Sequence, residues 1–267
     1  MLDALSPFAP RAPVPRARTS PCAVTLPFME PRVVLVTGAS RGLGREVAER
    51  LLEEGGRVHV AYRAEARGPE LAERFGAGRA HRADVLRTDD CASLIQSVLD
   101  AEGRLDALVH AVGEFHQGPT SASTADDCRW MLESNYVSAV ALLGAARAAL
   151  RASSGAAVLF GTAGLEGMQA RTTTAAYTAA KSALRVWMRA VAHEEAPHGV
   201  RVNMVSPGVI PHAHSADDTH DPAIVAGIPA GRVGRPDEVA SAVSWLLGGR
   251  ASHVLGQDLE VAGGWLL

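Results

Sequence analysis

An α/β fold, with about seven strands in one doubly wound parallel sheet and a single domain, is what this sequence predicts. Three observations carry that expectation. The apolar run Val33-Val34-Leu35-Val36-Thr37 has strand length and feeds directly into a turn with three glycines. From there to the C-terminus, apolar strand-like runs alternate with amphipathic helical patterns. No internal repeat or second-domain boundary interrupts that alternation. Apolar strands alternating with helices bury both faces of a parallel sheet.

The elements follow in order. Strand 33–37 runs into Gly38-Ala39-Ser40-Arg41-Gly42-Leu43-Gly44, and a helix is expected over 43–54. Glycines let the backbone take unusual dihedrals and let a phosphate come close, while the free N–H groups of the helix start attract it. Gly38, Ser40, Arg41, Gly42, Leu43 and Gly44 are therefore cofactor-binding candidates. Strand 57–62 ends Val60-Ala61-Tyr62-Arg63, with no carboxylate before Glu65. An acid there would suit the ribose 2′-hydroxyl of NAD, whereas arginine suits the 2′-phosphate of NADP. Arg63 and Arg41 therefore favour NADP(H) over NAD(H). Further strands are expected at 78–82, 105–110, 156–161, 200–205 and 257–261. Helices are expected at 67–75, 88–101, 124–151, 175–195 and 236–247. In such a sheet the ligand lies across the carboxyl ends of the strands, where the strand order reverses.

The helix at 175–195 carries Tyr177-Thr178-Ala179-Ala180-Lys181. Positions i and i+4 share one helix face, so the ammonium stands beside the phenol. A neighbouring cation stabilises phenolate and draws the phenol's pKa of about 10 toward the working range of a general acid/base.

Bulk properties narrow the class. The chain has 267 residues, 47% hydrophobic but only 4% aromatic, so Ala, Val and Leu must build the core. A net charge of −3 gives no reason to expect nucleic acid or an anionic membrane as partner. No apolar run approaches the roughly 18–20 residues of a membrane span. Cys22, Cys91 and Cys128 are far apart and form no metal or redox pair, which suits reduced thiols in a cytoplasm. Residues 1–30 read as a flexible Pro-, Ala- and Arg-rich extension, broken by Pro7, Pro10, Pro13, Pro15, Pro21 and Pro27. The alternative for residues 1–28 is that translation starts at Met29. The Rossmann-type domain then spans 31–267.

Together TGASRGLG at 37–44, YTAAK at 177–181 and RVNMVSPG at 201–208 resemble the short-chain dehydrogenase/reductase family over nearly all of 31–267, with a likeness to its 3-oxoacyl reductases. The resemblance implies that Asp84, followed by Val85, contacts the adenine. It implies that Pro207, Gly208 and Ile210 hold the nicotinamide end, and that Asn135 holds a proton-relay water; the alternative for Asn135 is a polar residue that kinks the long helix. It also implies that the long helix at 124–151 and the Tyr177 helix pair copies into a homodimer or homotetramer.

Two departures stand out. The family's Asn-Asn-Ala-Gly after the fourth strand is His110-Ala111-Val112-Gly113 here, so Ala111 and Gly113 remain cofactor candidates without the side-chain amides. The family's catalytic serine falls on Gly164; Thr162 is the replacement expected, with Thr172, Thr173 and Thr174 as alternatives. Residues 210–230 read as a substrate lid, punctuated by Pro211, Pro222 and Pro229. Its His212, His214, Asp217, Asp218, His220 and Asp221 are metal-ligand types without a defining spacing, so no metal is expected. The implied activity is hydride transfer between NADP(H) and a small carbonyl or secondary alcohol, as a ketoreductase acting through Tyr177, Lys181, Asn135 and Thr162. The alternative is a catalytically weak NADP-binding sensor or scaffold.

Overall fold

The computed structural model describes residues 32–167, 170–211 and 221–266. The extension at 1–30 and the lid residues 212–220 lie outside them. Seven strands are present: β1 Val33–Thr37, β2 Arg57–Tyr62, β3 Ala80–Arg82, β4 Ala107–His110, β5 Ala156–Phe160, β6 Arg201–Pro207 and β7 Asp258–Val261. All pair in parallel, in the order β3-β2-β1-β4-β5-β6-β7. Helices α1 (Gly42–Glu53), α2 (Gly68–Phe75), α3 (Thr88–Glu102), α4 (Ala125–Leu132), α5 (Ser138–Ser153), α6 (Ala175–Glu195), α7 (Pro222–Ala226) and α8 (Pro236–Leu247) connect or flank them.

Alternate β1 side chains serve opposite layers. Val34 and Val36 pack with α1, α2 and α8, whereas Val33 and Leu35 pack with α3, α5 and α6. All five β1 residues are buried, which is why that strand reads as a continuous apolar run. Each fully buried Val or Leu is worth about 1.5–3 kcal/mol, against about 0–1 kcal/mol for an exposed ion pair. The two apolar layers therefore hold the fold.

One polar clamp fixes the helices that matter for the site. Glu195 of α6 is buried and accepts from Arg151 Nε (2.7 Å) and Nη2 (2.9 Å) of α5, with Arg147 Nε at 2.8 Å. The Arg151 hydrogen bond, ahead of burial's opposing effect, holds the carboxyl below its usual range.

Two expected elements differ. The third strand begins at Ala80 rather than 78, because Gly76 (φ +99°) ends α2 and Ala77–Arg79 form a 3-10 turn. The helix expected over 124–151 is broken into α4 and α5 by a π-helical segment, Glu133–Val137. Asn135 explains the break: its Nδ2 donates to Met131 O (3.1 Å) and to Glu114 O (2.9 Å) in another loop. A side chain competing for a helix carbonyl opens the turn there.

Candidate active site

The strand order reverses between β1 and β4, and the glycine turn leaves β1 at that point. Gly38 (φ +75°) and Gly42 (φ +60°) occupy the left-handed region open to glycine. A Cβ on Gly38 would stand 2.6 Å from Ala111 O, and one on Gly44 would run into the Gly38 carbonyl. The α1 N-terminus carries no side-chain cap and no acid in its first turn. Its free N–H groups and positive dipole end thus remain directed at the turn. This cradle fits a dinucleotide's pyrophosphate.

A cavity of about 820 Å³ opens there, within the range of ligand sites. Of the residues expected from sequence, Gly38, Ser40, Arg41, Gly42, Arg63, Asp84, Val85, Ala111 and Gly113 line it. Leu43 and Gly44 sit behind: Leu43 packs on the α1-side core, and Gly44 is buried against Gly38. At the β2 end, Arg63 lies 3.9 Å from Glu114, both well exposed. Asp84 is held by its own turn, accepting from Leu86 N (3.2 Å) while its N–H donates to Asp90 (2.9 Å).

The second group gathers around the start of α6. Lys181 is buried, and its Nζ donates to Phe160 O at the end of β5 (2.8 Å) while lying 5.7 Å from the Tyr177 ring centroid. Burial pulls its pKa down to about 8. Thr162, two residues past β5, interacts with the Tyr177 hydroxyl in the direction that lowers its pKa. Thr172 and Thr173 instead offer their carbonyls to Gly118 and Thr120 of the loop after β4.

The phenol itself departs from expectation. The spacing predicts that Lys181 draws its pKa down; instead burial pushes it up to about 12, opposed by Thr162. The ammonium donates to the Phe160 carbonyl rather than to the phenol.

Asn135 is fully buried, and its Oδ1 accepts no hydrogen bond from any described residue. That oxygen and Lys181 Nζ both abut the Cα of Gly113, where a Cβ would collide with Oδ1. A buried acceptor without a partner beside an ammonium suits a bridging proton carrier. Gly164 has φ +72°, and a side chain there would meet Arg171 and Leu266. The position aligned with the family's serine is thus closed to one. Pro207 ends β6; Gly208 N donates to Val261 O (3.1 Å), and the Ile210 side chain is buried. These three line the neighbouring sheet edge rather than the cavity.

Sequence reasoning missed four features. His110 is buried and bridges Thr37 Oγ1 (2.9 Å) to Ser138 Oγ (3.1 Å), and burial, reinforced by Lys181, drives its pKa down to about 3. Phe115, Trp130 and Ser134 line the cavity. An imidazole ending an apolar strand was the available signal for His110; the other three had none.

The sequence family described as enoyl-(acyl carrier protein) reductase matches residues 38–266. The chain belongs to the short-chain dehydrogenase/reductase family. Among members of that family, the 3-oxoacyl-(acyl-carrier-protein) reductase FabG of Salmonella typhimurium is 31% identical over 239 residues, covering 88% of this chain and 97% of that enzyme. The L-fucose dehydrogenase of Bos taurus is 32% identical, covering 87% and 88% respectively. The Pseudomonas aeruginosa RhlG/NADP active-site complex superposes with a TM-score of 0.81 at 29% identity, covering 88% of this chain and 96% of that one. As a short-chain dehydrogenase/reductase, the chain is an oxidoreductase of the CH–OH/C=O pair. Among the described residues, no helix is long and apolar enough to cross a membrane.

Proposed function

We propose that this chain is an NADP(H)-preferring ketoreductase that returns a small carbonyl substrate to its secondary alcohol. What supports the reading is Tyr177, with the Lys181 ammonium near its ring and Thr162 acting on its hydroxyl, packed against Phe115 of the cavity whose other end is the glycine cradle. When bound, the nicotinamide supplies hydride to the carbonyl carbon. Gly38 to Gly44 hold the pyrophosphate, Asp84 and Val85 the adenine, and the backbone of Pro207, Gly208 and Ile210 the carboxamide. Thr162 and Tyr177 donate hydrogen bonds to the substrate oxygen, so charge developing there is stabilised. Tyr177 then gives up its proton. Lys181 and the open Oδ1 of Asn135 serve its resupply.

The phenol's pKa of about 12 supports the reducing direction. At neutral pH Tyr177 holds its proton and can hand it to a more basic alkoxide. NADP(H) preference is supported by Arg63 and Arg41 on the cavity wall and by the lack of a carboxylate closing β2. A 2′-phosphate dianion would displace Glu114, which reaches Arg63 only through an exposed contact. The reading includes a cytoplasmic homodimer or homotetramer, paired through α5 and α6, and a lid over 210–230 that includes α7.

Paired titrations with NADPH and NADH test it, followed by a carbonyl panel. Tighter NADPH binding that falls about tenfold or more in Arg63→Glu, with NADH unaffected, is the expected result. Tight dinucleotide binding without turnover of any carbonyl would favour the sensor instead.

A further inference from the structure

Resting on that reading of the crevice, we propose that Phe115 is a specificity-determining wall that selects carbonyl substrates carrying an aryl group over compact or polyhydroxylated ones. Phe115 and Trp130 are the two most exposed aromatic side chains among the described residues, at 61% and 43%, and both line the same cavity. Exposed aromatic surface is uncommon in a chain with only 4% aromatics, and an apolar face turned into a cavity calls for apolar cover. The Phe115 ring meets Tyr177 edge-on, with centroids 5.0 Å apart and planes at 84°. An aryl group bonded to the reacting carbonyl would be only a few ångströms from the phenol, and so within reach of the Phe115 face.

The loop that carries the ring is tied down on both sides. On one side, Glu114 O accepts from Asn135; on the other, Gly118 N donates to Thr173 O (2.8 Å) and Thr120 donates twice to Thr172 O. The loop bearing Phe115 is thereby tied to the segment joining Thr162 to Tyr177. Polar recognition of a sugar would need side chains aimed at the phenol end, yet the Glu114 carboxylate turns to Arg63.

The experiment compares ethyl benzoylacetate, ethyl acetoacetate and, in the oxidative direction, D-gluconate as probes, using wild type, Phe115→Ala and Phe115→Trp. We expect wild type to favour benzoylacetate in kcat/KM. Phe115→Ala should lower that value about tenfold through KM, leaving acetoacetate within about twofold, and Phe115→Trp should restore it. Equal losses on both esters, a wild-type preference for acetoacetate or gluconate, or a weaker dinucleotide Kd in Phe115→Ala without substrate would each overturn the assignment. The last would give the ring to the cofactor. These outcomes leave the ketoreductase reading standing. That reading fails separately, and this one with it, if wild type binds NADPH and NADH no better than a Gly44→Ala control.

Discussion

The two ends of the crevice are built by different means. The phosphate end is made of backbone: two left-handed glycines, a helix start without a cap, and a Gly38–Ala111 approach that admits no Cβ. The phenol end is made of side chains drawn from the loop after β5, the π segment and α6, and Asn135 and Lys181 among them donate to carbonyls far away in sequence. Affinity should therefore fail when geometry changes at the first end, and chemistry when a single functional group changes at the second.

The largest expected effect tests the second half of that contrast. Tyr177→Phe removes one oxygen, and kcat should fall about 10²- to 10⁴-fold while the NADPH Kd, by fluorescence titration, stays within about twofold. A matching loss of cofactor affinity would break the division between the ends. Next, Gly44→Ala forces overpacking against the Gly38 carbonyl, which costs about 1–3 kcal/mol. Dinucleotide Kd should weaken roughly tenfold to hundredfold, with kcat at saturation much less affected. Gly164→Ser pushes a non-glycine residue to φ +72° against Arg171 and Leu266. It should cost about 2 kcal/mol by denaturant unfolding and gain no activity, even in a Thr162→Ala background.

The last expected effect concerns pH and is read as a slope. The folded-state pKa of His110 lies at about 3, below its unfolded value of 6.5. The unfolded chain then binds more protons between those values. The stability His110 contributes is present above pH 6.5 and is lost as pH falls toward 3, at up to about 1.4 kcal/mol per unit. His81, lowered to about 4 by burial and then by His59, acts in the same direction. In His110→Asn the decline of Tm between pH 6.5 and 4 should be shallower. An unchanged slope would show that the His59–His81 pair dominates.

The same contrast explains what could be read from sequence. A cradle made by glycine spacing between a strand and a helix is written in consecutive residues, so its position between the first strand and helix was legible. The Tyr177–Lys181 pair was legible for the same reason, since helical spacing alone brings it together. The break at Glu133–Val137 was legible only as the alternative reading of Asn135, because one carbonyl that captures its amide belongs to Glu114, 21 residues earlier in the chain. His110 was opaque: Thr37 and Ser138 lie 73 and 28 residues away. The phenol's raised pKa comes from burial, which spacing along one helix does not report. Thr162 stood between, reachable by counting back from Tyr177 but separated from Thr172 to Thr174 only by its contact with the phenol.

Gly164 is locked by its surroundings. Arg171 donates to the carbonyls of Gly164 and Ala163, and Leu266 closes over the same spot from the far end of the chain. A hydroxyl-bearing side chain at that position therefore requires Arg171 and Leu266 to move as well, so the C-terminal residues and the loop after β5 constrain one another.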